Sequence, residues 1–306
     1  MTVDVNQVDE VADNVYVDMR PPMERLPYWA RATNPIVRRH LGLYWRTLPP
    51  EIEPILYMVG GWTVLILLGI IAPFVTDLAT TVIVVSVLVI PLTMIFYVRS
   101  LFSIASNSAA TMSDEVRNNT MHLLMSTPMT VEQILLGKVA ASIWRKMDNL
   151  MIVVHSAALF GAPLIIMHFA GILGLRDSGV LVYVLIIAMM IVSLLRLVLE
   201  PIMFGMIGVT IGAFVPFRST AKTASVAMVG FYFLLMIMLQ QLNLGYAIGA
   251  MQAVQEATEA TAHVAQTRFI LAMMQTVVVD IILPLALPYV MTRGLIRIVR
   301  HHVESL

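Results

Sequence analysis

Apolar positions gather into long runs at 54–75, 79–99, 148–173, 179–199, 201–216, 222–242 and 268–290, and the second run can continue as helix to 112. Most reach the ~20 residues that an α-helix needs to cross a hydrocarbon core. One polar interval between the two halves of the chain is long enough to fold, 113–138. The pattern predicts an all-α, polytopic membrane protein. Seven crossings would leave the two ends of the chain on opposite sides of the membrane, and the charges argue against that. Arg20, Arg25, Arg31, Arg38, Arg39 and Arg46 precede the first run, and Arg293, Arg297 and Arg300 follow the last. By the positive-inside rule both ends are cytoplasmic, which requires an even number of spans. The run 201–216 is the shortest and opens on Glu200-Pro201, so 179–216 reads as one long, broken fourth span and the total becomes six. On that count all of the 19 basic residues except Arg176, Arg196 and Arg268 collect in cytoplasmic segments.

The interval 113–138 predicts helix, turn, helix. On a helix over 114–126, Val116, Thr120, Leu123, Leu124 and Thr127 form a mostly apolar stripe toward the bundle. Glu115, Asn118, Asn119, His122 and Ser126 form the opposite, polar face, free to meet a partner. Ser113 is placed as N-cap, with Asp114 and Glu115 where negative charge suits the helix dipole. Pro128 biases Thr127 away from helical geometry, and Thr130 with Gln133 spells a capping box for a second helix running toward the membrane. Near the N-terminus, Asn34 as N-cap and Pro35 at the first position open a helix with Ile36, Val37, Leu41, Tyr44 and Leu48 on one face, stopped by Pro49-Pro50. Its composition is that of an interfacial amphipathic helix. The expected organisation is an acidic, disordered tail at 1–33, the interfacial helix at 34–50, a six-span domain at 51–292 and a basic cytoplasmic tail at 293–306. The segment 243–267 reads as an outward-facing helical cap or as a plain surface loop.

Composition narrows the function. Hydrophobic residues make up 59% and charged residues 12%, against about 25% charged in ordinary soluble domains. A net charge of zero removes nucleic acid as a bulk electrostatic partner. The absence of cysteine removes disulfides, thiolate metal sites and cysteine nucleophiles. No phosphate-binding G-x-x-x-x-G-K-(S/T) loop occurs, since Gly137-Lys138 is followed by Val139, and the spans hold no G-x-S-x-G or H-E-x-x-H constellation. No catalytic, cofactor-binding or metal residue is therefore predicted, which leaves transport or scaffolding.

The polar interval also resembles a known signature. Glu115, Thr120, Leu123-Leu124, Ser126-Thr127-Pro128-Met129-Thr130 and Gln133-Ile134-Leu135-Leu136-Gly137-Lys138 look like the E-x4-T-x2-LL-x-(S/T)-(T/S)-P-(L/M)-(S/T)-x2-(E/Q)-I-(L/V)-LGK pattern of ABC transporter permeases of the second exporter type. Asn34-Pro35-Ile36-Val37-Arg38-Arg39 is similar to a segment that opens many such permeases, with His40 where an acid is usual. Asn119 stands in place of a usual glycine, and His122 in place of a common glutamate. The resemblance implies a membrane subunit of an ABC exporter, working with a second permease, identical or related, in a bacterial or archaeal cell membrane. It further implies that separate ATPase subunits hold ATP and Mg, and that Glu115, Asn118, Asn119 and His122 couple to them. Thr120, Thr127, Pro128, Gly137 and Lys138 carry the rest of the signature.

Three polar residues inside the spans complete the reading. Asp280 in the sixth span costs about 2.5–3.5 kcal/mol to insert, and Pro284 and Pro288 predict a kink just after it. It either lines a translocation path or sits neutral, or paired with Arg196, within the packing. His155, seven residues after Asp148 and beside Ser156, predicts a hydrogen bond across a helix interface. Gly205, Gly208 and Gly212 include a G-x-x-x-G step that permits close helix packing, and the 23 methionines suit either core or an adaptable apolar lining. Two rival functions stand beside the exporter: an ion-coupled secondary transporter using Asp280 and His155, and a structural subunit of a larger membrane complex.

Overall fold

The computed structural model describes residues 26–31, 33–41, 52–72, 74–173, 180–256 and 277–304, apart from the side chains of 74–81, 169–173, 180–182 and 240–256. A 3-10 turn at Tyr28–Ala30 leads into α1 (Pro35–Leu41), followed by α2 (Glu53–Ile71), α3 (Phe74–Arg117), the short α4 (Met121–Met125) and α5 (Val131–Trp144). Then come α6 (Met147–Leu173), α7 (Val180–Phe214), α8 (Arg218–Glu256), a π-helical segment (Val277–Ile282) and α9 (Leu283–Glu304). Six of these helical stretches are long and apolar enough to cross a membrane. The protein is an all-α polytopic membrane protein, in agreement with the sequence.

Each of these six buries between 11% and 33% of its most apolar window inside the chain. Leu56, Tyr57, Val84, Leu88, Ile95, Phe231 and Leu234 are among the large apolar side chains left exposed. A soluble domain would not tolerate so continuous an apolar surface, whereas acyl chains or another apolar chain cover it without cost.

The helix α3 runs through the middle of the bundle, packed against α6, α7 and α8. Its closest partner is α7, and small residues make that approach possible. A Cβ added at Gly208 would lie 2.2 Å from the Ala105 carbonyl oxygen, and one at Gly212 would lie 2.3 Å from that of Ala109. The G-x-x-x-G step is thus a backbone-to-backbone seam against two alanines of α3. Three clusters are stacked along the bundle: Met112, Ile134, Val209 and Val299 at one end, Leu101, Leu150, Phe204 and Val229 in the middle, and Ile66, Ile166 and Ile186 toward the other end.

Several expectations need correction. The second span does not stop near a cap at Ser113, because α3 continues through it to Arg117, with Ser113 buried inside the helix. Its 44 residues span roughly 66 Å, so α3 projects well beyond a hydrocarbon core of about 30 Å. The fourth span is not broken at Pro201, since Val180–Phe214 is one helix with the proline inside. Residues 243–256 extend α8 rather than forming a separate cap. Residues 293–304 are the end of α9, not a tail, and bury Ile296, Val299 and Val303 against the end cluster. The distortion of the sixth span lies at the acid itself, in the π-helical turn 277–282, rather than after it. The tail at 1–25, the interfacial helix beyond Leu41 and the segment 257–276 lie outside the described residues.

The α3–α7 seam makes a direct prediction. Gly208→Ala must push the two backbones apart and should cost about 1–3 kcal/mol, the range for overpacking, seen as a lower unfolding temperature in detergent. At Gly230, inside α8, where an added Cβ meets nothing within 4 Å, the same change should be neutral or stabilising by up to about 1 kcal/mol, because alanine is the better helix former.

Candidate functional site

Two short sequence segments, 34–40 and 113–138, meet at one end of the bundle. The N-cap expected at Asn34 forms: its side-chain oxygen accepts from the Ile36 amide at 2.9 Å, and its own amide nitrogen donates to the Tyr28 carbonyl at 3.3 Å. With its entry fixed in this way, α1 lies across α5, where Ile36 covers Gly137 closely enough that an added Cβ would sit 3.2 Å from it. Val37 and Leu41 pack with Ala140, Ala141 and Trp144. The Trp144 indole donates to the Ala30 carbonyl at 2.8 Å, and the Arg145 guanidinium donates to the His40 carbonyl.

Between these elements lies a buried charged group. Lys138, fully buried on α5, forms an ion pair with the carboxylate of Glu115 near the end of α3, and its ammonium also reaches the Met112 sulfur at 3.2 Å. His40 Nε2 stands 3.2 Å from the other Glu115 oxygen. Burial pushes the Lys138 ammonium below the ordinary lysine value, and the Glu115 carboxylate pulls it back. One acid on α3 thereby pairs with a cation on α5 and lies beside an imidazole on α1.

This corrects the role expected of Glu115. The helix 114–126 is not continuous, so Glu115 does not share an exposed face with His122: it is only 5% exposed and points into the bundle. The chain leaves α3 through a left-handed residue, Asn119, at φ 52°. The Asn119 amide donates to the Val116 carbonyl at 3.2 Å and the Thr120 amide to the Glu115 carbonyl at 3.0 Å, the paired bonds that close a helix on a left-handed residue. Glycine is the usual occupant of such a position and asparagine the next best, which explains why Asn119 can stand where the resemblance has glycine. Thr120 also donates through its hydroxyl to the Glu115 carbonyl.

Beyond that exit, Asn118, Asn119 and His122 are exposed, as are Ser126, Thr127 and Pro128, while Leu123 is 70% exposed rather than on an inward stripe. Val116 and Leu124 do face the core. The expected capping box is present: the Gln133 amide donates to the Thr130 hydroxyl at 3.3 Å, and the Thr130 amide donates to the Gln133 side chain at 3.1 Å. Partly exposed ion pairs flank the tip, Asp114 with Arg218 at 3.3 Å and Glu132 with Arg293 at 3.0 Å. They join the tip to α8 and α9, so the described ends of the chain lie on the same side of the bundle as 113–138.

A second polar group lies within the spans. Glu200, fully buried on α7, accepts from Arg196 Nε at 2.6 Å, from the Tyr97 hydroxyl at 2.7 Å and from the Tyr232 hydroxyl at 2.8 Å. Arg196 is thus paired with Glu200, and Asp280 has no ion pair among the described residues. Sequence reading used Glu200 only to mark a break. An acid four residues after an arginine in a long apolar helix is the signal that would have found the pair. His155 bonds to the Met151 carbonyl of its own helix at 2.8 Å, not across an interface, and Asp148 is exposed.

The class defined so far is a multi-pass α-helical membrane protein with a charged junction at one end and a buried arginine–glutamate pair inside. Comparison of the chain with protein-family models, curated proteins and solved structures gives no match.

Removing one member of a buried ion pair leaves the other without compensation. Glu115→Gln should therefore lower stability by about 3–5 kcal/mol, read from chemical denaturation in detergent. The double change Glu115→Leu with Lys138→Met should recover most of that loss.

Proposed function

We propose that the chain is the membrane-spanning permease subunit of an ABC exporter, coupling ATP hydrolysis on separate ATPase subunits to movement of a substrate across the membrane. The observation that carries this reading is the junction itself. The two segments that resemble exporter permeases are far apart in sequence, yet Ile36 seats on Gly137 and His40 stands 3.2 Å from Glu115, the acid that pairs with Lys138. Residues of the signature that have no local reason to recur together thereby acquire a shared structural one. The tip between α3 and α5 presents His122 and Leu123 outward on a rigidly based turn. An exposed leucine among polar residues suits insertion into a groove of a partner, and Asn118 and Asn119 flank it.

The charge distribution supports a cytoplasmic tip and cytoplasmic ends, and the largely uncovered spans suit a second permease, identical or related, beside lipid. The ion-coupled alternative draws on Asp280 alone, because the polar bond of His155 stays within its own helix.

Tagged chain isolated from its own membranes should bring with it an ABC ATPase and ATP hydrolysis. Changing His122→Arg together with Leu123→Asp, both at exposed positions, should leave the unfolding temperature unchanged and weaken ATPase association tenfold or more. Undiminished co-purification of the ATPase with this variant would remove the tip from the coupling role, and absence of any ATPase from the wild-type complex would remove the exporter reading.

Orientation has its own test. A cysteine at exposed Ser126 should react with a membrane-impermeant maleimide only after cells are opened. Labelling of intact cells would reverse the assigned topology.

A further inference from the structure

Between α7, α8 and the π-helical turn lies a cavity of about 190 Å³, with Arg196, Ser193 and Asp280 on its walls among the apolar side chains of Met189, Met236 and Pro284. The groups around it do not balance. Arg196 is matched by Glu200, whose carboxylate is held by Tyr97 and Tyr232 in addition. Asp280 has no ion pair among the described residues and faces Arg196 and His168 only across a gap. With Arg196 and Glu200 cancelling, one carboxylate remains in excess among the described residues, in a site whose other walls are mostly apolar.

The backbone supports a ligand-binding role for this turn. Asp280 lies within 277–282, where the helix widens to π geometry, a distortion found frequently at functional sites. Pro284 has no amide hydrogen to return to the Asp280 carbonyl. The Ser193 hydroxyl donates to the Met189 carbonyl at 2.8 Å, which leaves its oxygen able to accept a further hydrogen bond. A cavity of roughly 150 Å³ holds a benzene ring, so this one has room for a single ring with a short polar arm. Methionine sulfur favours aromatic edges.

We propose that this cavity is a binding site for a small amphipathic amine, with its ammonium donating to Asp280 and Ser193 and its apolar body against Met189, Met236 and Pro284. Binding restores neutrality and seats an apolar group on an apolar wall. An anion would require Asp280 to give up its charge, so it is excluded from the same place. The described lining comes from this chain, and the proposal does not depend on whether an ATPase drives it.

The probe is radiolabelled benzylamine, measured by equilibrium dialysis against the full chain in lipid nanodiscs, with empty nanodiscs subtracted for partition into lipid. One saturable site is expected. Asp280→Asn should weaken binding at least tenfold, and Met236→Trp, which fills the cavity and touches no charge, should abolish it. Unlabelled benzyl alcohol and benzoate should compete poorly. Unfolding temperatures of both variants separate loss of the site from loss of the fold, and where one variant misfolds the other carries the test. No saturable binding to the wild-type chain, equal binding to a folded Asp280→Asn variant, or competition by benzoate as strong as by benzylamine would each overturn the proposal.

Discussion

A carboxylate and an ammonium removed from water lose several kcal/mol of hydration each, and the end of this bundle is arranged so that neither is left to do so alone. Glu115 and Lys138 can be buried only while α3, α5 and α1 remain in register, because each group is the other's compensation. Separating α5 from α3 would expose a dry cation and a dry anion together. The pair therefore ties burial of the two charges to one register of α3 and α5 rather than adding more stability than an apolar contact of similar area would. The same helix carries a second constraint about 18 residues earlier, where the Tyr97 hydroxyl meets Glu200 of α7. One polar fixing ties α3 to α5 and the other ties it to α7, with the glycine–alanine seam against α7 between them.

The gross architecture was legible because it follows from quantities that add along the chain. Span length and apolar content marked seven candidate runs, and the parity of basic residues reduced them to six crossings, without knowledge of packing. Local chemistry was legible too: Asn34 before Pro35 and Thr130 before Gln133 cap their helices as their spacing requires. What failed was helix phase. Serine is an N-cap former and also a tolerated interior residue, so Ser113 looked like a start. Tertiary packing of Ala105 and Ala109 on Gly208 and Gly212 carried the helix past it. Moving the end of the helix from 126 to Arg117 placed Glu115 inward and broke the supposed common face with His122.

Partners from distant helices were the other blind spot. Tyr97 and Tyr232 lie 103 and 32 residues from Glu200, and nothing in a tyrosine within an apolar run states which acid it will meet. Arg196 and Glu200 were different, since their spacing of four was readable, but Pro201 drew attention to a break that does not occur. The proline is accommodated because α7 is held on several sides by α3, α6 and α9, which fixes its axis whether or not one hydrogen bond is missing.

The length of α3 has a mechanical consequence. A helix of 44 residues is a rod, and its Arg117 end lies 26 residues from Pro91, or roughly 39 Å at 1.5 Å per residue. At Pro91 the ladder lacks one hydrogen bond, so bending stiffness is lowest there and the proline serves as a fulcrum. Over that arm, a sideways shift of about 1 Å at the Arg117 end turns the rod by only about 1.5°, so the helix delivers small rotations from sizeable thrusts. Whatever pushes on the turn at Asn119 works with a long handle and a short throw.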